Sequence, residues 1–366
     1  MIYFDAAATT WQKPTRVRAA VLRAMEACAS PGRGGYRAAR EAERQIYECR
    51  VLAAQLFDAA PEQVVFTMNA THGLNIAIRS LLAPGDRVIL SGYEHNAVTR
   101  MLEALQVRQT VMAPPLFDDE AFLASLRHAL QSPCRAVILT HVSNVFGWRL
   151  PLEQAAECCR QHHIPFIVDA AQSAGILPLS LKQLGAAFIA FPGHKGLYGP
   201  QGTGILLCGR TGAPLLYGGT GNQSRLQQMP EYGPERHEAG TPNVPGIAGL
   251  RAGMEFVRSV GTEEILAHEQ ALCHRAAVCL SAHPRVRLFC SPQPQRQTGV
   301  LSAVWDKDCE QAAEILAQQG IWVRAGLHCA PMAHQSAGTL DTGTVRFSFS
   351  WFNREWEVEK LCRCSW

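Results

Sequence analysis

The stretch AFIAFPGHKGLYGPQGTGILL, Ala187 to Leu207, decides how this chain is read. An apolar run ends, a glycine-rich turn follows, and Lys195 stands between them, directly behind His194. A second apolar run, TGILLC (203–208), begins almost at once. A lysine in that setting has three readings: a solvated surface residue, a phosphate ligand, or an amine held for covalent chemistry. The rest of the chain has to choose among them.

Working outward, short runs rich in Val, Ile and Phe recur. QVVFT (63–67), RVILS (87–91), RAVILT (135–140), PFIVDA (165–170), AAFIAF (186–191) and TGILLC (203–208) read as buried strands of a mainly parallel sheet. Helical patterns lie between several of them, at 71–82, 96–105, 119–131 and 152–162. That alternation predicts a layered α/β domain. From about residue 250 the pattern changes. A long helical stretch (246–283) precedes strands at 298–305 and 344–350, a helix at 308–319 and a last helix from about 354. This is the pattern of a smaller α+β lobe.

Composition narrows the function. The 366 residues are 47% hydrophobic and 18% charged, as in a folded globular protein. Net charge is +3 with no long basic run, so nucleic acid and anionic membranes are not expected partners. MIYFDAAATTW has no basic segment leading into an apolar one, and Lys182 interrupts the best candidate for a membrane span. A cytoplasmic protein is expected. The thirteen cysteines then read as reduced thiols rather than a disulfide framework. Cys158 and Cys159 sit four residues before His162 and His163, but this is half a metal site without a second half, and no metal is expected.

Two further stretches bear on Lys195. FTMNATHGLNIAI reads as strand, tight turn and helix start, with Asn69 or Thr71 as cap and amides at 70–73 able to receive an anion. IVDAAQSAG puts Asp169 at the end of an apolar strand, where a carboxylate is costly without a cation, although it could serve simply as a cap. No G-x-G-x-x-G follows the first strand, and no P-loop pattern occurs. In parallel sheets ligands bind at the carboxyl ends of strands, where Asp169, Lys195 and the 69–73 turn all fall. Pyridoxal 5′-phosphate has the phosphate, ring nitrogen and aldehyde that such a set would meet.

At this point the chain resembles a family. YFDAAATTWQKP, RGGYRAAREAE, NATHGLN, YEHNAV, HVSNVFGWRLPL, VDAAQSAG, GHKGLYGPQGTGIL, EAGTPN, RAGLHC and VRFSFSWFN are similar, in order and over nearly the whole length, to segments of the class V aminotransferases. The nearer likeness is to cysteine desulfurases and selenocysteine lyases. The resemblance implies a pyridoxal-phosphate-dependent transferase fold of the aspartate aminotransferase type. Its large domain would span 15–250, and its small domain 1–14 plus 251–366. It also implies roles. Lys195 would be the Schiff-base lysine, Asp169 the partner of the ring nitrogen, and Gln172 a contact of the ring oxygen. His95 would stack on the ring and help move protons. Thr71 and His194 would bind phosphate, and Thr241 would reach the phosphate of a neighbouring subunit, making the protein a homodimer. Asn144, Arg346 and Arg324 would serve the substrate. One departure stands out: Pro192 occupies the place where the family commonly has a phosphate-binding serine, and proline has neither hydroxyl nor N–H.

RAGLHCAPMAH separates the desulfurase reading from its neighbours. Cys329 has His328, Arg324, Gly326 and Pro331 around it, so basic neighbours would favour the thiolate and a turn would give access. The matching family cysteine takes sulfur from L-cysteine, leaving a persulfide and alanine. Arg346 follows 17 residues later, a short connection resembling the branch with a compact cysteine loop. The expected activity is cysteine desulfuration, of the kind that mobilises sulfur for iron–sulfur cluster assembly through an acceptor protein. Open alternatives are selenocysteine lyase, a class V transaminase or lyase in which Cys329 is a bystander, and a scaffold without cofactor.

Overall fold

The computed structural model describes residues 1–32, 34–221 and 224–364. Arg33 of RGGYRAAREAE and Ser365 and Trp366 of CRCSW lie outside the described residues. The chain opens with β1 (Ile2–Tyr3), α1 (Thr15–Ala27) and α2 (Arg37–Leu56). An alternating run follows: β2 (Val64–Thr67), α3 (Ala70–Leu81), β3 (Arg87–Ser91), α4 (Asn96–Ala104), β4 (Arg108–Met112), α5 (Asp119–Ala129), β5 (Ala136–Thr140) and α6 (Leu152–Gln161). β6 (Phe166–Asp169), α7 (Leu181–Leu184), β7 (Phe188–Pro192), β8 (Gly204–Cys208) and α8 (Val244–Val260) complete that part. The remainder is α9 (Thr262–Ser281), β9 (Val286–Phe289), β10 (Val300–Trp305), α10 (Cys309–Gln318), β11 (Ile321–Trp322), β12 (Arg324–Gly326), α11 (Pro331–Ala337), β13 (Thr344–Ser348) and α12 (Glu355–Cys362).

The large sheet has seven strands in the order β2-β8-β7-β6-β5-β3-β4. β4, β3, β5, β6 and β7 pair in parallel, while β8 returns antiparallel between β7 and β2. Its central strands carry Val137, Ile138 and Leu139, or Phe188, Ile189 and Ala190, all wholly buried because helices cover both faces. Each buried aliphatic or aromatic side chain contributes about 1.5–3 kcal/mol relative to exposure. The second sheet, β12-β13-β10-β9, is antiparallel throughout. A separate apolar cluster packs on it, joining Ile2 and Phe4 to Leu272, Leu301, Phe347 and Leu361. The first residues of the chain thus pack with the last hundred.

Two expectations need correction. The helical stretch 246–283 is two helices, because Gly261 breaks it at φ 94°, a conformation that suits glycine. α8 runs unbroken through residue 250 and packs Ile247, Leu250 and Met254 into the large core. The cysteines are not all free thiols either: Cys279 and Cys362 form a disulfide, since the packing of α9 on α12 brings their Cα atoms to 5.4 Å. Cys158 and Cys159 are buried in the core, and the His162 ring lies against the carbonyl of Cys158. Among the described residues no group of three or more His, Cys, Asp or Glu could hold a metal ion. No helix in them is long and apolar enough to cross a membrane.

Candidate active site

Three strands end on one cleft of about 290 Å3: β5 at Thr140, β6 at Asp169 and β7 at Pro192. Thr71, His95, Asn144, Asp169, Gln172, Pro192, His194 and Lys195 all line it. This gathering follows from topology, because parallel strands present their carboxyl ends on one edge.

Lys195 leaves the end of β7 through Gly193 and His194, in the turn that leads back to β8. The N-terminal segment holds that turn, as the Thr10 amide and the Thr9 and Thr10 hydroxyls donate to the carbonyl of His194 at 3.1–3.2 Å. Part of Lys195 opens to the cleft, but the surrounding protein withdraws its amine from water and pushes its pKa down to about 8. Asp169 opposes that shift as the strongest negative charge acting on the amine. Burial raises the Asp169 carboxyl, while the Ala171 amide at 2.9 Å and Lys195 favour its charged form. An amine that loses its proton near neutrality is nucleophilic where an exposed lysine is not.

His95 caps α4 by accepting the Ala97 amide on Nδ1 at 3.0 Å, which places the ring proton on Nε2. Burial, then Lys195 and Arg346, push it down to about 4, so it is neutral at pH 7. His194 is likewise neutral, pushed to about 4 by burial and Lys195, and its buried Nδ1 has no hydrogen-bond partner. On the facing side Asn69 accepts the His72 amide at 2.9 Å, leaving the first-turn amides of Ala70 and Thr71 without intrahelical acceptors. Gly204 permits that turn to sit on β8, since a Cβ there would lie 2.9 Å from the Cα of Asn69. Gln172 donates to the carbonyl of Ala7 at 2.9 Å.

The substrate-side residues form a second set. Arg346 is 2% exposed; it donates to Asn144 O at 3.0 Å and to Asp5 at 2.9 Å, and its Nε is buried without a partner. Arg324 meets the other oxygen of the same Asp5 at 2.8 Å, from a half-exposed position. Asn144 donates to the carbonyl of His328 at 2.8 Å. Cys329 O in turn accepts the Asn96 amide at 2.8 Å, so the cysteine loop is stapled beside His95. His328 and Cys329 both have positive φ, 49° and 54°, and Cys329 is exposed. Charge on the Cys329 sulfur is felt, weakly, at the Lys195 amine.

His328 supplies no positive charge beside Cys329. Its ring is buried, with Nε2 against the carbonyl and hydroxyl of Thr344 at 3.1 and 3.0 Å, and burial drives its pKa far below 7. It anchors the loop as a neutral group. Thr241 lies elsewhere, on a separate cleft of about 220 Å3. Asp5, which joins both arginines, was missed as a site residue; its signal was its place in the YFDAAATT segment.

The family description "Aminotransferase class-V" matches residues 2–361. The chain belongs to the class V aminotransferase family, in its cysteine desulfurase branch. It is 32% identical, over 98% of its length and 92% of the relative's, to a probable cysteine desulfurase of Methanothermobacter thermautotrophicus. A probable cysteine desulfurase of Vibrio cholerae is 33% identical over 99% of this chain and 92% of its own. Among solved structures, the apo cysteine desulfurase of Thermococcus onnurineus NA1 superposes with a TM-score of 0.90 at 30% identity, covering 99% of this chain and 92% of that one. The aspartate aminotransferase-like α/β fold and an enzymatic function follow from this membership.

Proposed function

We propose that this enzyme is a pyridoxal-phosphate-dependent cysteine desulfurase that converts L-cysteine to L-alanine and passes the sulfur to Cys329. The observation that carries the reading is the staple between Cys329 O and Asn96 N, which ties the loop of an exposed cysteine to the residue after His95, a lining residue of the cleft that holds Lys195 and Asp169. The residues present fit the cofactor. Asp169 would pair with the ring nitrogen, His95 would lie on the ring, Gln172 beside the ring oxygen, and Lys195 at the aldehyde carbon. The amides of Ala70 and Thr71, the Thr71 hydroxyl and the unpartnered His194 Nδ1 would meet the phosphate. Pro192 supplies no donor there, so these groups carry more of the phosphate's charge than a cup with an extra hydroxyl would require. Thr241 would serve the site of a second copy of the chain, in a homodimer.

The cofactor supplies an electron sink for negative charge at the substrate's Cα. Arg346 and Asn144 hold the substrate carboxylate, with Arg324 behind Asp5. Lys195, as a free amine, moves the Cα proton. The Cys329 thiolate attacks the substrate sulfur; an S–S bond forms, the C–S bond breaks, and Cβ receives a proton. Cysteine and an enzyme thiol thus become alanine and an enzyme persulfide, with no outside oxidant. A reductant or an acceptor protein then removes the sulfur, as iron–sulfur cluster assembly requires, in a cytoplasmic setting. Selenocysteine would fit the same groups.

The test is incubation with L-cysteine and a thiol reductant, with alanine and sulfide measured together. Equal amounts of the two are expected. Pyruvate and ammonia in place of alanine would mark a lyase.

A further inference from the structure

Glu94 lies directly beneath the cleft and has no part in the reaction above. It sits in the turn between β3 and α4, next to His95, and is wholly buried. Its Oε1 accepts two hydrogen bonds, from the Ser91 hydroxyl and from the Thr140 amide at 2.8 Å. Ser91 Oγ itself accepts the Tyr93 amide at 3.2 Å, so its proton is committed to Glu94. Glu94 Oε2 is buried with no partner. Thr140 is the register partner of Asp169 across β5 and β6. Two carboxyls are therefore packed under one site.

We propose that Glu94 is a positioning residue held as an uncharged acid: it clamps Ser91 to Thr140, fixes the backbone that carries His95, and leaves the negative charge under the site on Asp169. The chemistry assigns the proton. Asp169 has a cation, Lys195, acting on it, and the Ala171 amide stabilises its charge. The charged group acting on Glu94 is Asp169, from β6, which repels a second anion; its chain neighbour His95 is neutral. Oε1 has both acceptor positions filled, so the proton resides on Oε2. An ionised oxygen at Oε2 would be buried without any donor, a far costlier state than a neutral one. Burial accordingly pushes the Glu94 carboxyl up to about 8. Were both groups ionised, their repulsion would raise the proton affinity of Asp169 and weaken its grip on a cationic ring nitrogen. That last link rests on the proposed cofactor site; the state of Glu94 does not.

The sign of the pH effect follows. In the unfolded chain Glu94 ionises near 4.5, and in the folded one near 8. Between those values only the unfolded state releases the proton, so stability falls as pH rises, and above about 8 this contribution is constant. Glu94→Gln keeps the acceptor for Thr140 and cannot ionise. The Tm of the Gln variant, minus that of the wild type, is expected to widen from pH 5 to pH 8 and then stay level. The infrared carbonyl absorption of protonated buried carboxyls should lose one band in Glu94→Gln relative to the wild-type holoenzyme, while the band of the likewise buried Glu269 remains. The visible circular dichroism of bound cofactor should collapse in Glu94→Ala and return in Glu94→Gln. Parallel Tm curves across the range would overturn the proposal, and so would a Gln variant whose cofactor dichroism matches that of Ala. If Ala does not fold, the Gln melting curves and infrared band decide alone. Melting needs no turnover, so a failed desulfurase assay leaves this test standing.

Discussion

Lys195 and Cys329, the two nucleophiles of the proposed reaction, are prepared in opposite ways. Lys195 sits in a turn at the end of a wholly buried strand, and loss of water makes its amine reactive by drawing its pKa to about 8. Cys329 sits on an exposed turn of two left-handed residues, held by its backbone rather than by its side chain. The lysine has to stay where it is and change its proton. The thiol has to be reached, first by the substrate sulfur and then by whatever removes it. Desolvation serves the first task and would defeat the second, since burial raises a thiol's pKa, as it does for Cys49 and Cys273 in the core.

The strongest way to break this contrast is at the lysine. Lys195→Ala should lose all turnover, and borohydride should no longer fix cofactor to the protein. In the wild type, uptake of cofactor should quicken as pH rises and level off above about 8, because the unprotonated amine is the reacting form. A reducible adduct that survives in Lys195→Ala would remove Lys195 from its role.

Cys329→Ser comes next. Sulfide release from L-cysteine should vanish while the cofactor spectrum stays intact, because Cys329 follows β12 of the second sheet and the groups proposed to hold the cofactor stand on the first. Wild-type protein treated with cysteine should gain one sulfur on the Cys329 peptide, removable by reductant. Selenocysteine breakdown can survive, since selenium leaves carbon more easily. Unchanged sulfide and alanine from Cys329→Ser would make Cys329 a bystander.

Asp169→Asn sharpens the contrast from the lysine's side. It should fold and bind cofactor but lose about 100-fold or more of kcat, the scale of one removed electrostatic stabiliser. Near-wild-type turnover would mean that another group holds the ring nitrogen.

The same two regions differ in how far the chain betrays them. The central strands were legible because a run such as AVILT has no polar face to confuse it. Lys195, Asp169 and the turn at 69–73 could be placed together because strand ends in a parallel sheet must converge, whereas His95 came only through the family resemblance, and all of them line one cleft. α1 and α2 were not assigned: α2 buries small residues, Ala39, Ala42, Ala53 and Ala54, which give little hydrophobic contrast. β4 is an edge strand, RQTVM, with an open face. β9 is only partly buried, and β11 and β12 are two and three residues long, below any useful period. Around Cys329 the sequence misstated the physics of one neighbour. A histidine beside a cysteine suggests a cation, and only the packing of His328 against Thr344 shows a neutral anchor. Asp5 was unreadable as a hub because its two arginines lie more than three hundred residues away in the chain.

That hub yields the smallest expected effect. Arg346 and Arg324 share Asp5, Arg346 on one oxygen and Arg324 reaching both, yet they are not equivalent. Arg346 is buried, fixed by Asn144, and keeps an unpartnered Nε. Arg324 is half-exposed, and hydrogen bonds from its Nε and Nη2 are spent on Asp5. An exposed ion pair contributes about 0.2–1 kcal/mol, so Arg324→Met should change KM for cysteine by no more than about fivefold and leave kcat unchanged. The change should shrink further at high salt, which screens the exposed pair and not the buried one. Arg346→Met, by contrast, leaves Asp5 buried without its inner partner and removes a charged donor from the substrate, and should raise KM by about tenfold or more. Steady-state kinetics of the two variants at low and high salt decide the matter. If Arg324→Met raises KM as far as Arg346→Met does, and salt does not soften it, then Arg324 touches the substrate carboxylate itself and the brace assigned to it here is wrong.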